Sequence, residues 1–299
     1  FRADAEGSAL EARALRQAAE KALRPEINRR LGALAKAGTD DLTLDAEGRI
    51  AWQDRTVAQL TAGASPFRPH IALIGGELGA PESQVRAQGN IERCIRAQIS
   101  RDLQPLLRLT SDEANQALSG MARGLAFRLA ENGGAIARHE IDADVRALSA
   151  AERRALRRLG IRIGEFSVFM PALIKPRIAR LSGLLRAVYQ GDRLRAFQPA
   201  PGLMSVAADE SRPAADHAAA GFQRCGPRIV RIDILERLAD LVRDARAAGK
   251  NRDFELAPAM TSLLGCSVQD LRGVLSSLGF RRVRKGTDPE KAVGERWAK

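Results

Sequence analysis

The chain has 299 residues and carries 48 Lys and Arg against 36 Asp and Glu, a formal net charge of +12 at pH 7. Hydrophobic residues make up 45% of it and aromatic residues only 4%, so we expect aliphatic side chains and Ala to fill the cores of two or three domains. The charge favours a polyanionic partner, nucleic acid above all, although an Arg-rich composition alone produces the same charge. No apolar run approaches the roughly 18 residues that span a bilayer, so we expect no membrane partner.

The cysteines suggest a reducing compartment. Cys94, Cys225 and Cys266 lie far apart and form neither a CxxC pair nor a disulfide framework, so a cytoplasmic location is expected. The chain opens on Phe1 with no initiator Met and no signal-peptide pattern, which predicts a piece of a longer protein.

The first predicted elements are helical and are followed by a small β unit. Apolar residues recur at helical spacing from Ser8 to Ala37, which predicts one long helix or two helices broken near Pro25. Residues 42–63 alternate around two turns and predict a three-stranded meander. Residues 67–83 are punctuated by Gly and Pro and predict a linker.

Helices are predicted next at about 83–107, 114–131 and 142–159, and an unusual segment follows. Arg153 to Arg180 contains eight basic residues and one acid around an apolar middle. Within it, Ile161 to Met170 predict a buried strand or β-turn unit, because β-branched and aromatic residues dominate there. A short helix or turn begins at Pro171, and a helix after Pro176 stops at Gly191.

The last third predicts a connection and then a compact module. Residues 192–228 predict a long connection with one short helix near 214–220. Three helical stripes follow, and the third begins at Ser267, which is expected to form a capping box with Asp270. Two short strands around a basic loop complete the element order of a winged helix.

The predicted fold class is therefore mainly α with small β elements (α+β). It consists of a multi-helical accessory region, a small β meander near the N-terminus and a winged-helix-like C-terminal module. The predicted domains are residues 1–65 for the long helix and meander, 66–198 for a helical domain containing the basic segment, and 199–299 for the linker and module.

Catalytic motifs are missing from this sequence. The stretch GGELGAPES lacks the GK[ST] of a phosphate loop, and there is no GxSxG for a Ser nucleophile. His70, His139 and His217 are isolated, without a second metal ligand at helical spacing. We therefore expect no catalytic, cofactor-binding or metal site in this chain.

Phosphate binding has better candidates. Four arginines between residues 153 and 158 would form one basic strip on a helix, and Arg forks fit phosphate oxygens without reading bases; the alternative is a solvated helix face. A second basic cluster lies where a wing would meet a nucleic-acid backbone. The aromatic residues are better explained as core than as stacking platforms. The predicted nucleic-acid-binding residues are Arg153, Arg154, Arg157, Arg158, Arg162, Lys175, Arg177, Arg180, Gln269, Arg272, Arg281, Arg282, Arg284 and Lys285.

Several segments resemble a known family. They are LRRLGIRIGEFSVFMPALIKPRIARLSGLLRAV, SGMARGLAFRLAENGG, GFQRCGPRIVRIDILERLADLVR and LLGCSVQDLRGVLSSLGF. They resemble the C-terminal half of bacterial superfamily-two helicases related to the mitochondrial degradosome RNA helicase, over nearly the whole chain. The pattern expected in that group is in register at Leu156, Arg157, Gly160, Arg162, Gly164, Pro171, Ala172, Leu173, Lys175 and Pro176.

The resemblance implies that the parent protein is an ATP-driven helicase. Its motor, with bound ATP and Mg²⁺, would lie upstream of Phe1, because this chain has no phosphate loop and no DExH box. The expected function is an accessory region that grips the DNA or RNA backbone beside that motor. The alternatives are a scaffold that recruits the helicase to a nuclease, repair or replication partner and, less favoured, a winged-helix transcription regulator.

Overall fold

The computed structural model describes residues 9–75, 79–118, 120–191, 197, 199–200, 202–248, 253–284 and 294–299. The chain is mainly α-helical with small antiparallel sheets, which confirms the predicted fold class. It divides into two compact units. Unit 1 is Phe1–Asp102 with Ala187–Arg195, and unit 2 is Leu103–Arg186 with Ala196–Lys299. The three predicted ranges do not coincide with these units.

Unit 1 combines two long helices with a four-stranded antiparallel sheet. Helix α1 (Ala9–Leu34) runs through Pro25 without a break, and α2 is Pro81–Asp102. The sheet has the order β1-β2-β3-β4, formed by Leu42–Leu44, Arg49–Trp52, Arg55–Ser65 and Arg68–Leu73. One more strand is present than the meander prediction gave.

The linker prediction for residues 67–83 is wrong over its first half. Strand β4 pairs with β3, and its Ile71 lies opposite the fully buried Leu60. Pro69 is tolerated because β4 is an edge strand, where a missing N–H costs no ladder bond on the open side. The strands also approach closely, since a Cβ at Gly63 would overlap the backbone of β4.

In unit 2 the long predicted helices are divided into shorter ones. These are α3 (Gln104–Arg108), α4 (Asp112–Ala117), α5 (Gly120–Glu131), α6 (Asp142–Ala147), α7 (Ala150–Arg158) and α8 (Pro176–Tyr189), whose last three residues belong to unit 1. Two serines mark new starts: Ser111 accepts a hydrogen bond from the Ala114 N–H, and Ser149 accepts one from the Glu152 N–H. Such caps begin a helix.

The basic segment contributes two strands to a small sheet. Strands β5 (Ala135–Ala137), β6 (Arg162–Ile163) and β7 (Ser167–Phe169) form an antiparallel sheet in the order β5-β7-β6. Val168 and Phe169 are completely or almost completely buried. The prediction of a buried strand in this segment is confirmed.

Residues 192–228 contain more structure than predicted. The short helix is confirmed as α9 (Ala214–Ala219), but β8 (Ser205–Ala207), β9 (Phe222–Cys225) and β10 (Arg228–Arg231) were missed. They form an antiparallel sheet in the order β8-β10-β9. Strands of three or four residues are too short for an alternating pattern to stand out.

The C-terminal module has the three predicted helices and one unpredicted strand. Its elements are α10 (Ile232–Ala248), β11 (Phe254–Glu255), α11 (Pro258–Leu264), α12 (Val268–Ser277), β12 (Arg281–Arg284) and β13 (Arg296–Ala298). The sheet order is β11-β13-β12. Leu235, Leu238, Leu271 and Leu275 pack together in its core. Ser267 caps α12 by accepting a hydrogen bond from the Asp270 N–H.

Candidate nucleic-acid interface

The loop between β6 and β7 is held by one buried carboxylate. Glu236 of α10 is 6% exposed and accepts backbone hydrogen bonds from Glu165 (2.8 Å), Phe166 (3.1 Å) and Ser167 (2.9 Å). Burial raises the pKa of the Glu236 carboxyl, against the backbone donors and Arg162, which act to lower it. The contact joins the basic segment to the C-terminal module.

The Glu236 carboxylate and the three backbone N–H groups that donate to it are called the Glu236 cradle. Gly164 makes this cradle sterically possible. A Cβ built at Gly164 would overlap the carboxylate of Glu236. The backbone can therefore approach the carboxylate only because residue 164 has no side chain. The Gly of the IRIGEF sequence is explained by this contact within unit 2.

The strip on α7 presents three of its four predicted arginines to solvent. Arg154, Arg157 and Arg158 are exposed. Arg153 is half-buried and donates to the carbonyls of Val145 (2.8 Å) and Leu148 (3.2 Å), near the end of α6. Its guanidinium satisfies backbone acceptors left over at a helix end, so its predicted phosphate contact would require those bonds to break.

The remaining cations of the basic segment are exposed on β6 and on and beside α8. Arg162 lies on β6, close enough to Glu236 to act on its pKa, and Lys175, Arg177 and Arg180 lie at the start of α8. Lys175 and Arg180 have no acidic partner in the part of the chain that the structure describes. These two side chains are available to an anionic ligand.

Arg272 is held inside the module rather than presented on the outer face of α12. Its guanidinium donates to both carboxylate oxygens of Glu295, at 2.7 to 3.2 Å, and Glu295 is 1% exposed. Burial acts to raise the pKa of Glu295, but hydrogen bonds from Arg272 and Trp297 outweigh it and lower the pKa. The prediction that Arg272 faces outward is wrong, because a long-range acid neutralises it.

The other predicted residues of the module lie at its surface. Gln269 is exposed on α12, and Arg281, Arg282 and Arg284 are exposed on β12. Arg282 has Glu295 at 3.9 Å, whereas Arg281 and Arg284 have no acidic partner among the described residues. Lys285 lies outside the described residues.

A basic cleft in unit 2 was missed by the sequence analysis. It has a volume of about 620 Å³ and is lined by Arg138, Arg146, Arg224, His139 and Lys299 together with Asp142 and Glu165. Lys299 Nζ lies 2.7 Å from Glu165 and 5.9 Å from the Phe166 ring centroid. These cations come from three separate stretches of the sequence, at residues 138–146, 224 and 299, so no local sequence pattern brings them together. Arg138, Arg146, Arg224 and Lys299 are already paired with acids.

Within the described part of the chain, the histidines belong to no group of metal-ligating side chains. His217 is fully buried against the Phe197 ring, at 4.8 Å between centroids, and neither ring nitrogen has a hydrogen-bond partner among the residues that the structure describes. Burial lowers the pKa of His217. Within the described ranges, no three His, Cys, Asp or Glu side chains are grouped so that they could hold a metal ion.

Neither similarity to known proteins nor a membrane span assigns a family or a function to this chain. Over the described residues, none of the helices has the length and apolar character needed to cross a bilayer. No protein-family model, curated protein or solved structure matches the chain.

Proposed function

We propose that unit 2 binds the phosphate backbone of nucleic acid, as an accessory region of a larger protein. The observation that carries this proposal is a set of exposed cations without an acidic partner among the described residues: Arg154, Arg157, Arg158, Lys175, Arg180, Arg281 and Arg284. An unpaired surface cation is free to neutralise a phosphate and release its counterion, which makes binding favourable and salt-dependent.

Other arginines of the chain provide the contrast. Arg49 bonds to Asp45 and Glu47, Arg128 to Asp144, and Arg243 to Asp240. A phosphate that approached these side chains would have to displace a carboxylate. A high Arg content raises the net charge whether or not each arginine is paired with an acid. The unpaired set therefore supports the proposal better than the net charge does.

The C-terminal module supports the same function. We infer that it is a winged helix, because its elements follow the order helix, strand, helix, helix, strand, strand and its sheet has the order β11-β13-β12. In a DNA-binding winged helix α12 would enter a groove and β12 would lead to the wing. Exposed Gln269 and the arginines of β12 would then be the contacting groups, and Arg272 would be structural.

The proposed parent protein is an ATP-driven helicase with its motor upstream of Phe1. This part of the proposal rests on the resemblance of the basic segment to the superfamily-two helicase group. The coding sequence upstream of Phe1 should then contain a phosphate loop and a DExH box. An upstream sequence without them would exclude the helicase, although it would leave nucleic-acid binding by unit 2 open.

The binding proposal is tested by charge reversal with a matched control. The variant Arg154→Glu, Arg157→Glu, Arg158→Glu reverses three unpaired cations, and Arg49→Glu, Arg101→Glu, Arg243→Glu reverses three paired ones with the same change in net charge. The affinity of each variant for labelled single-stranded, duplex and forked DNA and RNA is measured by fluorescence anisotropy at a series of salt concentrations.

We expect the first variant to lose at least about tenfold in affinity and to lower the salt slope by about 2, since each single-strand phosphate contact contributes about 0.7. The control should lose much less. Equal losses would mean that only net charge matters. An unmodified chain that does not bind near physiological salt would refute the proposal in favour of the scaffold, and tight binding to one duplex sequence would favour the transcription regulator.

A further inference from the structure

Unit 1 has an apolar groove between α1 and the tip of the β2–β3 hairpin. It has a volume of about 510 Å³, within the range of ligand-binding clefts. The aliphatic part of its lining, referred to as its floor, includes Ile27, Leu31, Val57, Leu73 and Ile74. Ile74 is 50% exposed, so an apolar side chain of a partner could cover it.

The charged residues around this groove have a single sign. Arg29 and Arg30 on α1 and Arg55 on β3 line it, and no Asp or Glu is among the described lining residues. Arg29 and Arg30 share one acid, Glu26, at 2.7 and 2.9 Å. Arg55 has no acidic partner within the described part of the chain. The groove therefore combines an apolar floor with an excess of positive charge.

The hairpin at one wall has an unusual backbone. Gln53 and Asp54 both have positive φ, 50° and 57°, without being glycine. The two-residue turn that they form places Trp52 directly opposite Arg55 in the strand register. Backbone of this kind costs free energy and is concentrated at functional positions.

We propose that this groove binds an acidic amphipathic peptide segment of a partner protein. Apolar side chains of the segment enter the groove and a carboxylate pairs with Arg55, while Arg29 and Arg30, two cations that share the single acid Glu26, add net positive charge beside it. An amphipathic helix laid into an apolar groove is a common recognition mode, and the charge around the groove selects acidic over basic segments.

Single-stranded nucleic acid fits the groove less well. Single-strand sites stack successive bases on several aromatic side chains, whereas Trp52 is the one aromatic residue among the described lining residues. The aliphatic floor offers no stacking surface. The proposal does not depend on nucleic-acid binding by unit 2, because it uses none of the same residues.

The test uses the full chain and a display library of random peptides. We expect enrichment of peptides with Leu, Ile or Phe at helical spacing among Asp and Glu. Selected peptides should bind Ile74→Asp at least about tenfold more weakly, as expected for a central apolar contact. They should bind Arg55→Glu more weakly and with a reduced dependence on salt, whereas Val85→Asp, at an exposed apolar residue of α2 outside the groove lining, should bind like the unmodified chain.

A second measurement places the peptide. The chain has two tryptophans, so its ¹⁵N spectrum has two indole N–H signals, and only that of Trp52 should shift on binding. Three outcomes would overturn the proposal: no enrichment over a library selected on the Ile74→Asp chain, enrichment of peptides without acidic residues, or a Trp52 signal that moves with a single-stranded oligonucleotide and not with the selected peptides.

Discussion

Replacing Glu236 with Ala should destabilise unit 2. The substitution removes the acceptor of three backbone N–H groups, two of which, on Phe166 and Ser167, are buried. A buried donor left without a partner costs about 1–3 kcal/mol. Relief of the burial cost of the carboxylate and entry of water offset part of this, so we expect a net loss of about 2–4 kcal/mol.

The assay is urea unfolding followed by the fluorescence of Trp297, which is buried in unit 2, in a Trp52→Phe background. With an m-value of about 1–3 kcal/mol/M, the midpoint should fall by about 1–2 M. Asp244→Ala, which removes an exposed acid from the same helix, is the control and should change stability by less than about 0.5 kcal/mol. Equal midpoints for the two variants would refute the role assigned to the cradle.

Other predictions concern the same unit. Gly164→Ala should lower the free energy of unfolding by about 2–3 kcal/mol, because its Cβ would displace the Glu236 carboxylate. Gly124→Ala, in open space on α5, should raise it by about 0.5–1 kcal/mol. Thermal unfolding compares the two variants. Glu295→Gln should cost about 3–5 kcal/mol, because it leaves the charge of Arg272 without its buried partner; a chemical-denaturation midpoint close to that of the unmodified chain would contradict this. Burial lowers the pKa of His217 below its unfolded value of 6.5, so protonation favours the unfolded chain and stability should fall as pH drops below about 6.5. This fall should be smaller in His217→Phe, and stability curves of equal slope between pH 7 and pH 5 would exclude His217 as its source.

The sequence was informative where a local pattern decides the structure. The unbroken apolar stripes of α10, α11 and α12 and the β-branched run at β7 were predicted because periodicity and burial coincide there. A helix interruption was missed where a serine cap intervenes, at Ser149 within the predicted helix 142–159. Strands were missed where they have only two to four residues, as at β8 and β11.

The candidate site was harder to predict, because exposure and pairing of a cation depend on residues distant in sequence. Arg154 and Arg153 are neighbours, yet only Arg153 reaches the carbonyls near the end of α6. Arg272 has the spacing of an outward residue on α12, but it meets an acid 23 positions later. Helical periodicity gives the direction of a side chain and says nothing about its partner.

The basic segment contains residues that the fold requires and residues that are free to contact a ligand. Gly164, Phe166 and Ser167 are accounted for by the Glu236 cradle and the core, whereas Arg157 and Arg158 are exposed and have no acidic partner among the described residues. Of the ten residues that carry the resemblance, Leu156 and Leu173 are buried and Gly164 is sterically required, so at these three positions the resemblance follows from packing, and folds are shared by proteins of different function. Nucleic-acid binding is inferred from the unpaired cations, and charge reversal at those positions, which leaves the cradle intact, separates function from fold.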